Sequence, residues 1–136
     1  MRTFWMGLCA ACLLAAALMS IGSVKAVEIG DGFAVAGLRG SEVNDQMGKK
    51  GFISNHAGGI LAGITNGEEI ILRVYCKPIP SIAKEQQTLD EHGRVKKISI
   101  QGRHDICVLP RIVPVCEAMV SLVLADFWLR QKAAGI

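Results

Sequence analysis

The segment from Ser54 to Lys77 carries the strongest strand signal in the chain, and it constrains the fold more than any other feature. Its last part alternates, with Ile70, Leu72, Val74 and Cys76 on one face and Ile71, Arg73, Tyr75 and Lys77 on the other. A strand of this pattern covers a core on one side and offers charge on the other or at its end. Upstream, Gly58 to Ile64 is a glycine-punctuated apolar run, and Asn66-Gly67 predicts a tight hairpin turn between the two. Downstream, Pro78 and Pro80 stop the strand and hold an extended, stiff segment.

The elements on either side have to supply what that strand packs against. Val27-Glu28-Ile29 reads as a short strand, Gly30-Asp31-Gly32 as a turn that needs positive φ, and Phe33 to Leu38 as a second strand. Residues from Arg39 to Phe52, rich in Gly, Asn, Asp and Lys, read as a mobile surface loop. Asp90-Glu91-His92-Gly93 predicts a second hairpin, with Val95, Ile98 and Ile100 in its returning strand. Pro114 suits the first turn of a helix running to about Lys132, where Arg130 and Lys132 complement the negative end of its dipole. Val115, Ala118, Met119, Leu122 and Ala125 form one stripe of that helix. Val123, Leu124, Phe127 and Trp128 make it apolar nearly all round, which predicts burial in the fold or in an oligomer. An apolar run near the start predicts a buried helix from about Leu13 to Ser20. The same run, with Arg2 before it and Val24-Lys25-Ala26 after it, also has the pattern of an export signal. The sum is an α+β domain with hairpins and a helix at each end.

A chain of 136 residues that is 51% hydrophobic and 20% charged is long enough for one domain with a core. The net charge of +3 is spread without a block of one sign, which gives no reason to expect nucleic acid and suits a phosphorylated small molecule. Cys9, Cys12, Cys76, Cys107 and Cys116 match neither a disulfide framework nor a zinc site, so reduced, cytoplasmic thiols and no metal are expected. Gly30-x-Gly32 lacks the third glycine and the following helix of a dinucleotide loop.

The densest polar constellation is Gly102-Arg103-His104-Asp105, just before Pro110-Arg111. Arginine is permanently charged and bidentate, so Arg103 and Arg111 can grip phosphate or carboxylate, while Asp105 can accept a proton. The plainer alternative is a solvated loop before a helix in which Asp105 pairs an arginine. This segment and Ile112 to Met119 closely resemble the C-terminal signature of the chorismate synthase family. Glu28 to Phe33, Arg39 to Glu42, Gly51 to Leu61, Lys77 to Ile82 and Leu124-Ala125-Asp126 resemble further family segments in the family's order. Coverage runs from about Leu14 to about Lys132, leaving residues 1–13 unmatched and assigning 14–136 to the C-terminal part of the family's β-α-β sandwich-type fold. Because the similarity begins inside the signal-like run, it favours an internal core helix and a cytoplasmic protein over an exported one.

The resemblance implies a lyase of the shikimate pathway, and so of aromatic amino acid biosynthesis. It converts 5-enolpyruvylshikimate 3-phosphate to chorismate and phosphate by a 1,4-anti elimination that requires reduced FMN, with NADPH as the associated reductant. It places FMN contacts at Gly22 and Ser23, at Ala62, at Lys77, Pro78, Ile79, Pro80 and Ser81, and at Arg103, and it makes Asp105 the residue that manages a proton at the flavin. His56 and His92 stand where the family tolerates other residues and are read as structural or solvated, and as a turn residue. Ile106 replaces the family's usual proline, Gly22-Ser23 replaces Asn-Ala or Pro-Ala, and Ala62 stands where glycine is common. The family's N-terminal region, with its two acid histidines and most substrate-binding arginines, has no counterpart in these residues. The chain alone is therefore expected to be inactive, no membrane is expected, and full-length relatives are homotetramers. The alternatives are a non-catalytic flavin-binding or oligomerisation module, or an exported small protein.

Overall fold

A computed structural model describes residues 7–135, with side chains from Ala10 onward. Helix α1 (Gly7–Met19) leads into strand β1 (Val24–Ile29), a short 3-10 helix (Gly32–Gly37) and the single turn α2 (Gly40–Val43). Two small hairpins follow, β2 (Met47–Gly48) with β3 (Gly51–Phe52) and β4 (Ile60–Leu61) with β5 (Ile64–Thr65). Strand β6 (Leu72–Cys76), the hairpin β7 (Gln86–Leu89) and β8 (Val95–Ile98), and the long helix α3 (Leu109–Ala133) complete the chain. The described residues thus form an α+β arrangement of two long helices and four two-stranded antiparallel ladders.

The core is the seam where the two helices meet the main ladder. Ala10, Leu14 and Leu18, spaced four apart, form one buried stripe of α1, and α1 packs on α3, β1 and β5. Leu14 and Leu18 are fully buried, each contributing about 2–3 kcal/mol by leaving water. Val24, Ile60, Ile112 and Phe127 complete the buried apolar set. Strand β6 pairs antiparallel with β1, with Val27 opposite Val74 and Ile29 opposite Leu72, and the register shifts between Val24 and Ala26. Along β6, Leu72, Val74 and Cys76 are half-buried and Arg73 and Tyr75 exposed, as the alternation predicts.

Several expectations are corrected. Phe33 to Leu38 forms no strand: the Ala34 amide donates to the Asp31 carbonyl and the Leu38 amide to that of Val35, so local i→i+3 bonds win over pairing. The tight hairpin turn lies at Ala62-Gly63, joining β4 to β5, and not at Asn66-Gly67. Ala62 and Gly63 have φ of 49° and 78°, the left-handed pair that such a turn requires. The segment from Arg39 to Phe52, read as a loop, folds into α2 and the β2–β3 hairpin. Helix α3 begins five residues earlier than read, so Pro110 occupies its first turn and Pro114 lies inside it. Only Ile112 and Phe127 of α3 are buried, so the predicted burial of the helix is not met within the chain. The β7–β8 hairpin and the Gly30-Asp31-Gly32 turn form as expected, whereas Ile100 lies beyond the strand. The N-terminal helix also forms, beginning earlier than the residues assigned to it. Cys12, Cys76, Cys107 and Cys116 are free, and no metal-binding cluster occurs among the described residues.

Candidate functional site

One end of the β1–β6 ladder gathers two of the segments singled out in the sequence. Val24 pairs with Cys76, and immediately beyond them the Lys77 amide donates to the Ser23 carbonyl at 2.7 Å. Gly22-Ser23 and the Lys77–Ser81 segment are therefore neighbours because the ladder ends there. Ser23 and Ala62 are the two non-glycine residues with positive φ among the described residues, at 77° and 49°. That conformation costs an L-residue about 1–2 kcal/mol and concentrates where surrounding structure imposes it, often at functional sites.

An open cleft of about 510 Å³ adjoins the Lys77–Ser81 segment, lined by Ile79, Ser81, Arg103, His104, Asp105, Val108 and Arg111. Pro78 and Pro80 prevent Lys77–Ser81 from continuing as a strand and keep it extended along this side. The 102–108 segment enters the cleft just ahead of α3, whose Arg111 and Ile112 amides bond back to the Val108 carbonyl. Asp105 Oδ2 accepts from Arg111 Nη1 at 2.8 Å, so the plainer reading of Asp105 as an arginine's partner holds. Arg103 and Lys77 form no ion pair with a carboxylate among the described residues. The structure thus unites Ile79, Ser81, Arg103 and Asp105 on one cleft and sets Gly22, Ser23 and Lys77 at the ladder end. Ala62 is not among the residues that line this cleft and sits at the tip of the β4–β5 hairpin.

A second polar cluster was not legible in the sequence. Residues 28–33 cross residues 54–59 at Gly30 and Gly58, so closely that a Cβ on Gly58 would come within 2.5 Å of the Gly30 Cα. The Gly30 amide donates to the Ile71 carbonyl, the Asp31 amide to that of His56, and the Ile71 amide to that of Gly58. His56 Nδ1 meets Asp31 Oδ2 at 2.6 Å, with both side chains 34% exposed. The hydrogen bond to Asp31 raises the His56 pKa above its usual value, against a smaller opposing effect of burial. Burial pushes the Asp45 carboxyl up, but the Ala57 amide, Ser54 hydroxyl and His56 amide outweigh it, and its pKa lies below the usual value. On the outer face of β6, Arg73 Nη1 donates to the Gly30 carbonyl and Tyr75 Oη to Glu28 Oε2. Spacings of 25 residues between Asp31 and His56 and 11 between Asp45 and His56 carry no local pattern that reading could catch.

The residues fit a phosphate-bearing flavin. A cleft of this size lies within the range of small-ligand sites, and the Arg103 guanidinium with the Ser81 hydroxyl suits a phosphate. An α+β chain with an open cleft lined by two arginines, a histidine, an aspartate and a serine belongs to the class of folds that present a concave polar site for a small ligand. Comparison with known proteins narrows this. The family model for chorismate synthase matches residues 10–129. A chorismate synthase of Syntrophus aciditrophicus is 68% identical over 123 residues, which cover 90% of this chain and 35% of the relative. That of Desulfosudis oleivorans is 61% identical over 120 residues, covering 88% and 34%. A crystal structure of chorismate synthase superposes with a TM-score of 0.68 at 37% identity, covering 90% of this chain and 31% of that one. The chain belongs to the chorismate synthase family and spans about a third of the length of the relatives it matches.

Proposed function

We propose that residues 14–136 form the flavin-contacting part of a chorismate synthase, acting in the shikimate pathway in the cytoplasm. The reaction is the 1,4-anti elimination of phosphate from 5-enolpyruvylshikimate 3-phosphate. The observation that carries this reading is the convergence of Ile79, Ser81, Arg103 and Asp105 on one cleft, beside the Ser23–Lys77 contact. Reduced FMN, when bound, supplies the electronic step of an elimination that is redox-neutral overall, with NADPH as the source of its electrons. Arg103 and Lys77 hold fixed positive charge against the electron-rich ring and the phosphates, which is worth most where water is excluded. The Ser81 hydroxyl donates to a phosphate oxygen. Arg111 fixes the Asp105 carboxylate through Oδ2, leaving Oδ1 to take up and return a proton at the flavin.

The general-acid histidines and most substrate arginines expected from the family have no counterpart among these residues, so the isolated chain binds flavin without turning over substrate. Assembly follows the homotetramer of the family, without nucleic acid or a membrane. Helix α3 is long and apolar enough by composition to cross a membrane, and 11% of that apolar window is buried among the described residues.

Amide chemical shifts recorded during FMN addition test the assignment. Ser23, Ala62, Lys77, Ser81 and Arg103 should shift together with one saturation curve. Shifts confined to another region, such as the β7–β8 hairpin, would overturn it.

A further inference from the structure

Two half-buried thiols stand outside the cleft described above, and the fold sets them on facing surfaces. Cys76 ends β6 on the same face as Leu72 and Val74, paired with the buried Val24. Cys116 lies on the inward stripe of α3, one turn after the buried Ile112 and one turn before the half-buried Val120. Two clefts fix how these elements run past each other. In one, of about 330 Å³, Leu72 and Val74 share the walls with Cys116 and Val120. In the other, Ile79 and Ser81 meet Val108 and Arg111. As the chain advances from residue 72 to residue 81, its neighbours on α3 therefore recede from residue 120 to residue 108, so strand and helix run antiparallel. Cys76 falls between the two clefts, and the stretch of α3 across from it lies between Arg111 and Cys116. The electrostatics agrees with this placement. Burial pushes the Cys116 thiol up, and the next influence in the same direction is the charge of Cys76.

We infer that Cys76 and Cys116 are a redox-active pair that closes to a reversible disulfide, tying α3 to the end of the β1–β6 ladder. The oxidant is a small-molecule disulfide such as glutathione disulfide. The Cys76 thiolate attacks one sulfur of that disulfide, whose S–S bond breaks, and the glutathione thiolate that leaves takes up the proton Cys76 gave to water. Cys116, which burial holds as the thiol, acts second. It releases its proton, and its thiolate attacks the Cys76 sulfur of the mixed disulfide. The Cys76–Cys116 bond forms and the second glutathione leaves, so the protein loses two electrons and two protons and the two glutathiones gain them. Lys77 follows Cys76 directly and its amide bonds to the Ser23 carbonyl, so the bridge also fastens the ladder end. The inference rests on the two clefts and the strand register, and stands whether or not the chain binds flavin.

The test incubates the full reduced chain with glutathione disulfide, blocks the remaining thiols with iodoacetamide and digests it with trypsin for mass spectrometry. A peptide pair joining Cys76 to Cys116 is expected, lighter by two hydrogens than the sum of its parts and split by dithiothreitol. The thermal midpoint of the oxidised chain should rise by about 10 °C, the effect of closing a loop of this length. Both changes should vanish in Cys116→Ser and persist in Cys107→Ser, at an exposed site. The inference fails if the two cysteines of the parent chain carry only glutathione or iodoacetamide, or if either is joined to another cysteine instead. It also fails if the joined peptides come from two chains, seen as a dimer in non-reducing electrophoresis. An unchanged midpoint in the bridged chain would overturn the claim that the bond ties α3 to the ladder.

Discussion

Substituting Gly58 by alanine tests whether the crossing of residues 28–33 and 54–59 organises the fold. Gly58 has φ of +61°, and an added Cβ would lie 2.5 Å from the Gly30 Cα and 3.1 Å from the Ile71 carbonyl oxygen. Both are backbone atoms, so no side chain can swing aside. The left-handed conformation alone costs alanine about 1–2 kcal/mol. Relief of the clash must separate the two segments and weaken the amide bonds from Gly30 to Ile71, Asp31 to His56 and Ile71 to Gly58, at about 1 kcal/mol each. The total is on the order of 4 kcal/mol, a large share of the stability of any small domain. At about 4 °C per kcal/mol, the thermal midpoint followed by circular dichroism should fall by about 15 °C. Gly93→Ala is the control, because Gly93 has φ of +75° but nothing within 4 Å of its added Cβ. It should lose only about 1–2 kcal/mol. Equal losses in the two variants would refute the view that close backbone approach, rather than conformation alone, requires Gly58.

Leu14→Ala should cost about 3–5 kcal/mol in urea unfolding and Leu13→Ala under 1 kcal/mol, because Leu14 is fully buried and Leu13 is 40% exposed; similar losses would contradict the packing of α1. The His56–Asp31 pair stabilises fully below the unfolded histidine value of 6.5 and loses its contribution as pH rises through the raised folded value. Urea midpoints across that window should therefore fall more steeply in the parent than in His56→Asn, and parallel slopes would rule the pair out. Asp45 behaves oppositely, stabilising above 3.8 and losing its contribution as pH falls through its lowered folded value. Asp45→Asn should accordingly flatten the acid limb of the stability curve.

The parts of the fold that could be read in advance are those set by local chemistry. The alternation of Leu72 to Cys76, the glycines flanking Asp31 and the Asp90–Gly93 turn each encode their geometry within a few residues. The errors arose where tertiary context overrode a local preference. Asn66-Gly67 has the composition of a tight hairpin turn, yet Asn66 instead accepts from the Glu68 amide while its own amide bonds to Gly59, and the turn forms at Ala62-Gly63. Proline suits the first turn of a helix, which points to Pro114, but Pro110 takes that position. The apolar circumference of α3 predicts burial in the fold or in an oligomer, whereas among the described residues its stripe at Val115, Ala118, Leu122 and Ala125 faces outward. Of the candidate site, the residue types and their order were legible through the family motifs. The Ser23–Lys77 contact and the Asp31–His56–Asp45 cluster depend on pairings between residues 11 to 54 positions apart and were not.

The central claim, that this chain holds a flavin half-site, is tested most directly by titrating it with oxidised and reduced FMN and following flavin fluorescence and thermal stability. The account predicts saturable binding that raises the thermal midpoint and is lost in both Lys77→Ala and Arg103→Ala. A folded chain that fails to bind FMN, or that binds it equally well in both variants, would contradict it.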